Sequence, residues 1–379
     1  MPSKLCSCLT VCFVAVFAGC HHSPSLVEPI RTMARLEEYR QNGVLPETIE
    51  RIYCSGGTLR LIVYLEAADR VVAVDSNERA SILRGGMKAY LMAHPEFHEK
   101  PIAGETSGRD NPELLLSLPE PPQLIIKADT GAGYDPVELT RRTGIPVLLV
   151  PMRGITIGRE EFDVGLRLMG RALGKEKRAE DVIGFFDREI AEIKTRTKKA
   201  EVPERSKPTV YVGGVSYNGS HGFHSTEAGY PPFVIAGARD FIETNADQPS
   251  LGKRHTMLAK EKILEWNPDI LFLDLGTLYL GETSGRVEIQ HDPAYQSLTA
   301  VSTGRVYTLL PNTFYFVNHD AVLANAWFVA KTLYPEEFVD IDPKEKADEI
   351  FTFLVGKPVF EKLDAALENI ALRRLEIYP

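Results

Sequence analysis

The chain has 379 residues, enough for a large core and two domains of ordinary size. With 25% charged and 44% hydrophobic residues it reads as globular, neither disordered nor membrane-spanning throughout. A formal net charge of −9 argues against a nucleic-acid backbone as partner, but a few local arginines could still hold an anionic ligand.

The first twenty residues, MPSKLCSCLTVCFVAVFAGC, place one lysine before an apolar run from Leu9 to Ala18 and then small residues before Cys20. The run is too short for a permanent bilayer span and matches a secretory signal. VFAGC resembles the bacterial lipobox, whose cysteine becomes the lipidated first residue of the mature chain. The expectation is a signal peptide over 1–19, lipid on Cys20, and a tether with the N-terminal edge over 20–44. The plainer alternative is a signal peptide with an incidental cysteine. Residues 1–19 carry a single charge, Lys4, so their removal takes the net charge to −10. They also carry Cys6, Cys8 and Cys12, which leaves Cys54 as the one cysteine without a lipid and excludes an intramolecular disulfide.

Four β-branched runs follow, RIYC, RVVAVD, QLIIKA and PVLLVP, separated by the helical patterns TLRLIVYLEAA, NPELLLSLP and DPVELTRRTG. Strands alternating with helices imply a right-handed parallel α/β unit, placed here at 45–157. A helical pattern with apolar residues at three and four spacing then runs from Glu160 to Lys199, and a connecting helix is assigned to 158–200. A second α/β set, TVYVGG, DILFLDL and RVYTLL, opens the unit at 201–379, whose end from Asp320 onward reads as nearly all helical. NPELLLSLPEPPQLIIKA and AKEKILEWNPDILFLDL echo each other, each with an acid in the first helical turn, leucines, a proline stop and a buried strand. Two such copies suggest two similar lobes.

In that order and spacing, RIYCSGG with VVAVDS, the two helix-Pro-strand echoes, the long connector and GRVYTLLP before a helical block resemble a class III solute-binding protein of an ABC importer, from the iron-chelate and cobalamin group. GIPVLLV, YVGGVSYNGSHGF and ADEIFTFLVGKPVF are similar to a branch of that group associated with iron complexes. The resemblance implies an α/β fold of two Rossmann-like lobes with mainly parallel sheets, joined by one long helix stiff enough to keep closure small. It implies an exported, lipid-anchored monomer in the periplasm or on the outer face of the cytoplasmic membrane. Such a protein takes an iron chelate of ferric-siderophore type in the interlobe cleft and passes it to a permease with its ATPase. No cofactor, nucleic acid or catalysis is expected. A corrinoid, haem, or molybdate or tungstate is the alternative ligand, and delivery to a sensor the alternative destination. A chelatase-like enzyme is the alternative of another class, disfavoured by export. No G-x-S-x-G, H-E-x-x-H or P-loop is present in the sequence.

Ligands of open α/β sheets sit beyond the carboxyl ends of the strands, so the loops there supply the candidate site. CSGGTLR offers Ser55, Gly56, Thr58 and Arg60: backbone N–H groups at a helix start, with a cation in its first turn where the dipole disfavours one. A tight turn capped by Ser55 or Thr58, with Arg60 in a surface ion pair, is the structural alternative. Thr130 and Tyr134 follow the QLIIKA strand, and Arg153 follows PVLLVP, where a guanidinium could clamp an oxyanion or join a salt bridge to the connector. The Gly-rich loop GGVSYNGSHGFHSTEAGYPPF brings Tyr217, His221, His224 and Tyr230 to the mouth of the second lobe. His221 and His224 are the metal-ligating candidates, since imidazole suits Fe, Ni, Cu or Zn, although histidines that merely brace the loop would look the same. Arg254, His255, Tyr315 and His319 form a second tier, and His94 and His98 read as exposed helix-end residues. By the resemblance, Glu113 and Glu261, each in the first turn of an echoed helix, meet arginines of the permease. Favourable helix-start electrostatics would also place an acid there.

Overall fold

The computed structural model describes residues 27–79, 88–151, 153–242 and 255–377. Cys20, the signal segment and Arg254 therefore lie outside the described residues.

The four β-branched runs of the first half become β1 (Ile52–Ser55), β2 (Val71–Asp75), β5 (Leu124–Ala128) and β6 (Val147–Val150). Their side chains are buried on both faces, as expected of central parallel strands covered by helices. Two short strands that the sequence reading did not foresee, β3 (Ile102–Glu105) and β4 (Arg109–Asp110), complete a six-stranded sheet of order β4-β3-β2-β1-β5-β6. All its pairs are parallel except β3 with β4.

In the second half, β7 (Thr209–Gly213), β9 (Arg239–Asp240), β11 (Ile270–Asp274) and β12 (Val306–Leu309) form a parallel sheet of order β12-β11-β7-β9. Two antiparallel ribbons stand at its carboxyl edge. One pairs β8 (Ser225–Thr226) with β10 (Thr256–Met257), and the other pairs β13 (Thr313–Phe314) with β14 (Phe316–Val317). The fold is thus the expected mixed α/β build with mostly parallel sheets.

The connector pattern resolves into two helices, Arg159–Leu173 and Glu176–Lys199. The break falls at Gly174, whose φ of 64° is left-handed and ends the first helix with a bond from its N–H to Gly170 O. The 24-residue second helix carries the linkage, and at 1.5 Å per residue it is roughly 36 Å long. Its buried Ala179, Val182, Ile183, Phe186 and Ile193 keep helical spacing, and it packs on the helices Pro231–Ala236 and His319–Leu333. Trp327 donates to Glu189 across that contact at 2.8 Å, and Lys346 pairs with the same carboxylate at 2.9 Å.

The C-terminal block does not stay with the second sheet. Helices Pro343–Val355 and Phe360–Ala366 pack against Leu59–Tyr64 and Ala89–Ala93 of the first half. The chain then leaves helical structure and returns to β12, where Leu375 N–H donates to Val306 O at 2.8 Å. One hydrophobic cluster accordingly runs through both halves, and a smaller one, around Tyr53, Ile125 and Leu139, fills the outer face of the first sheet.

Candidate functional site

A cavity of about 180 Å³ opens between the carboxyl ends of the two sheets. Thr130 and Arg153, from the loops after β5 and β6, line it on one side. Opposite stand Ser216 and Tyr217 after β7, Glu227 after β8, His255 before β10, and Thr313, Tyr315, Phe316 and His319 around the β13–β14 ribbon. The expectation for Thr130, Arg153, Tyr217, His255 and Tyr315 thus meets one common cavity, and His319 of the second tier joins them.

The two sides differ chemically. Arg153 is exposed at the rim, its stem lies against Gly158, and among the described residues nothing hydrogen-bonds or ion-pairs with it. The salt bridge to the connector considered from sequence is not formed among those residues. On the facing side, the Tyr217 and His255 rings stack at 4.8 Å and 8°, and His221 lies 5.2 Å from His255. His255 Nε2 is 2.7 Å from Ser225 Oγ, whose hydroxyl donates to Val215 O at 2.6 Å. A hydroxyl has one proton, so Ser225 can only accept from His255. The ring therefore carries its proton on Nε2 and keeps the Nδ1 lone pair. Burial, and then the neighbouring His221 and His224, lower the His255 pKa below the usual imidazole value, so the ring is neutral at pH 7.

Tyr315 forms the tip of the β13–β14 ribbon with φ of 64°, a left-handed conformation that costs a non-glycine residue about 1–3 kcal/mol. Strain of this kind persists only where neighbours over-determine it, and here it turns a phenol-bearing residue to the cavity wall.

Several sequence expectations require correction. In the first lobe's SGG loop, Ser55, Thr58 and Arg60 have no solvent exposure. Ser55 Oγ donates to Asp110, Gly56 N–H to Asp75 at 3.1 Å, and Thr58 Oγ1 to Ile126 O at 3.0 Å. Neither hydroxyl caps the helix, and the loop is closed to a ligand. Arg60 is not in a surface ion pair and does not line the cavity; its guanidinium is buried and reaches Phe316 O, Val317 O and Asn318 Oδ1 in the second half. Tyr134 lines a separate depression of about 430 Å³ beside Arg31 and Asp129. Tyr230 is fully buried beneath the site with its hydroxyl 3.4 Å from Asp274. His221 and His224 border the cavity without lining it: His221 Nε2 bonds Tyr217 O at 2.8 Å, and the His224 carbonyl accepts from Leu258. Among the described residues no three His, Cys, Asp or Glu side chains gather as a metal site.

Sequence reasoning missed Glu227, Ser216, Thr313 and Phe316. Glu227 sits in the STE run of the Gly-rich loop, and its carboxylate lies 3.5 Å from Asn312 Nδ2. The available signal was a lone acid in a Gly-rich loop that also carries tyrosines and histidines. Glu113 and Glu261 are exposed in the first turns of Pro112–Ser117 and Lys260–Trp266, with Glu113 3.7 Å from Arg142.

The architecture is shared by solved structures. A periplasmic solute-binding protein from Veillonella parvula superposes with a TM-score of 0.64 at 16% identity, over 88% of this chain and 96% of that one. The Haemophilus influenzae molybdate periplasmic binding protein MolA gives 0.63 at 18%, over 83% and 95%. Helicobacter pylori CeuE with Ni(II) bound gives 0.53 at 17%, over 86% and 96%. No curated protein matches the chain in sequence at a significant level. The family model described as periplasmic binding protein matches residues 55–313, from the SGG loop to the β13–β14 ribbon, and so takes in every described residue of the cavity except those after Thr313. This chain belongs to the periplasmic binding protein family, whose members are extracytoplasmic solute-binding components of ABC-type importers.

Proposed function

We propose that the protein captures an anionic iron chelate of ferric-siderophore type between its lobes, 45–157 and 201–379, and delivers it to a permease. The observation that carries this reading is the asymmetry of the cavity. An unpaired Arg153 guanidinium faces a wall of stacked Tyr217 and His255, with Tyr315, Ser216 and Glu227 beside them. A guanidinium suits catecholate or carboxylate oxygens, aromatic rings suit the flat faces of a chelator, and an imidazole lone pair suits a transition metal. At about 180 Å³ the cavity is smaller than a whole chelate, so the organic part extends past the exposed rim at Arg153 and Tyr217. That compactness favours one second reading, a molybdate-type oxyanion held by Arg153 and the hydroxyls. Binding without catalysis fits the class, and the ligand is cargo.

Native mass spectrometry of protein from its own host, with the optical spectrum of what co-purifies, identifies the cargo. In fluorescence titrations the ferric complex of a bis-catecholamide should bind and molybdate should not. Arg153→Ala should weaken the ferric complex by about 2–5 kcal/mol, the cost of a lost desolvated charge-assisted bond. Discounting for the exposed rim puts the loss at the low end of that range. Binding of molybdate alone would transfer the site to the second reading.

Lipidation of Cys20 completes the proposal, because several acyl chains anchor a protein stably where one does not. Cys20→Ala should move the protein from the membrane to the soluble fraction. A wild-type protein that is already soluble in its host would leave that cysteine without this role.

A further inference from the structure

We infer that Arg60 is a positioning residue: buried in the first lobe, it clasps the cavity-forming ribbon of the second lobe and holds Tyr315 in its strained, cavity-lining conformation. The part of this inference that concerns ligand affinity rests on the iron-chelate reading; the clasp itself does not.

The guanidinium has no solvent exposure, and its Nη1 lies 2.9 Å from Phe316 O, 2.7 Å from Val317 O and 2.9 Å from Asn318 Oδ1. These acceptors are the three residues directly after Tyr315. One helical turn on, Tyr64 presents its hydroxyl to the backbone N–H of Asp320 at 3.3 Å, so a single face of the helix Leu59–Tyr64 grips the segment 316–320 twice. The SGG loop closes over the same segment. A Cβ on Gly57, which has φ of 84°, would meet the Phe316 ring at 2.5 Å, so glycine is needed there for the ring to seat. Asn318 Nδ2 in turn donates to Pro311 O at 3.1 Å, tying the far end of the ribbon to its start.

Four cavity residues, Thr313, Tyr315, Phe316 and Val317, belong to this ribbon, and His319 begins the helix behind it. A two-stranded ribbon this short is not stable by itself. Its buried carbonyls need donors, and the two N–H groups of Arg60 Nη1 are shared among the three acceptors while Nη2 faces the Tyr90 hydroxyl at 3.4 Å, a reach and a fixed plane that a flexible lysine ammonium does not reproduce. The cation that looked misplaced at a helix start is therefore placed for backbone carbonyls of the other lobe, which carry the negative end of their dipoles. The clasp is built from the chain's own groups, so under this inference it pre-organises the cavity floor for capture.

The test compares wild type with Arg60→Met, Arg60→Lys and the milder Asn318→Ala, which removes one acceptor and keeps the guanidinium. Hydrogen exchange needs no ligand. Amides of 313–320 should exchange at least tenfold faster in Arg60→Met and Arg60→Lys, and to a smaller extent in Asn318→Ala, while β5 and β11 keep wild-type protection. Exchange that is unchanged, or that rises equally in both sheets, overturns the clasp. If the Arg60 variants do not fold, Asn318→Ala decides by the same criterion.

The ligand arm uses the ferric complex of a bis-catecholamide. Arg60→Met and Tyr315→Ala should each weaken it about tenfold, and the double variant should be no weaker than the poorer single one, since both act on the same side chain. Additive losses would mean that Arg60 does not act through Tyr315. A wild-type protein that ignores this probe defeats the iron-chelate reading and leaves the exchange result to judge the clasp.

Discussion

Two buried aspartates show how the strand ends are tuned in the same way in both halves. Asp75 ends β2 and accepts from Gly56 N–H and, at 3.0 Å, from Asn77 N–H. Asp274 ends β11 and accepts from Gly276 and Asn312 N–H groups, both at 2.9 Å. Each fastens the loop after its own strand to the loop after a neighbouring strand. Burial pushes both carboxyls up to about 7; backbone donors work against this in both, and Glu78 adds to it at Asp75. A carboxyl with a raised native pKa binds its proton more tightly folded than unfolded. Its contribution is therefore fully present below about pH 4 and is lost as pH rises through about 7. Asp274→Asn, a neutral near-isostere, should flatten this component. The stability of the variant relative to wild type should increase between pH 4.5 and pH 7.5 in urea titrations. Parallel stability profiles for the two proteins would show that Asp274 does not titrate in that window.

At the scale of elements, the central strands were legible because β-branched runs bounded by Pro, Asn and Gly have few other uses. The two-residue strands β4 and β9 were not: RD carries no strand signal, and these pairs form only because a neighbouring edge offers hydrogen bonds. The connector's break was written in Gly174, yet apolar spacing continues across it and hid the stop. The SGG loop is the instructive failure. A Gly-rich turn before a helix was read as a ligand cradle, whereas its glycines make room for Phe316, a residue more than 250 positions away. Local sequence states that something must approach the backbone closely; it cannot state whether that is a ligand or another part of the chain. Arg153 was readable because its loop follows the last strand of the first lobe, although the acids at the start of the connector, Glu160, Glu161 and Asp163, left a salt bridge open from sequence. His255, Tyr217 and Tyr315 were readable as residue types on the right loops, but their stacking and strain depend on ribbons that sequence did not announce.

For the whole molecule, the packing of the C-terminal helices on the first lobe changes what delivery can depend on. The lobes share one hydrophobic cluster, the 24-residue helix, the Arg60 contact and the helices Pro343–Val355 and Phe360–Ala366. Wide opening would expose much of that apolar contact, so we propose that closure is small and that the two outer faces keep nearly constant spacing with or without cargo. A permease could then be met by two fixed points, one on each lobe. Glu113 and Glu261 are exposed acids at equivalent places, ahead of the central strands β5 and β11, and Leu114 and Leu116 beside Glu113 are 44% and 49% exposed. Exposed apolar residues beside a charge suit a transient protein contact, where charge sets steering and register. Alternatively, the acids serve only the first turns of their short helices. Reversing both to lysine separates the two roles, because surface charges on short helices contribute little to stability. The double variant should keep its ligand affinity, shift its unfolding midpoint only slightly, and fail to support uptake in vesicles reconstituted with the cognate permease and ATPase. Its uptake defect should also ease when arginines on the permease are reversed to glutamate, since register is restored by the opposite pairing. Undiminished uptake by the double lysine variant would return Glu113 and Glu261 to helix-start chemistry alone.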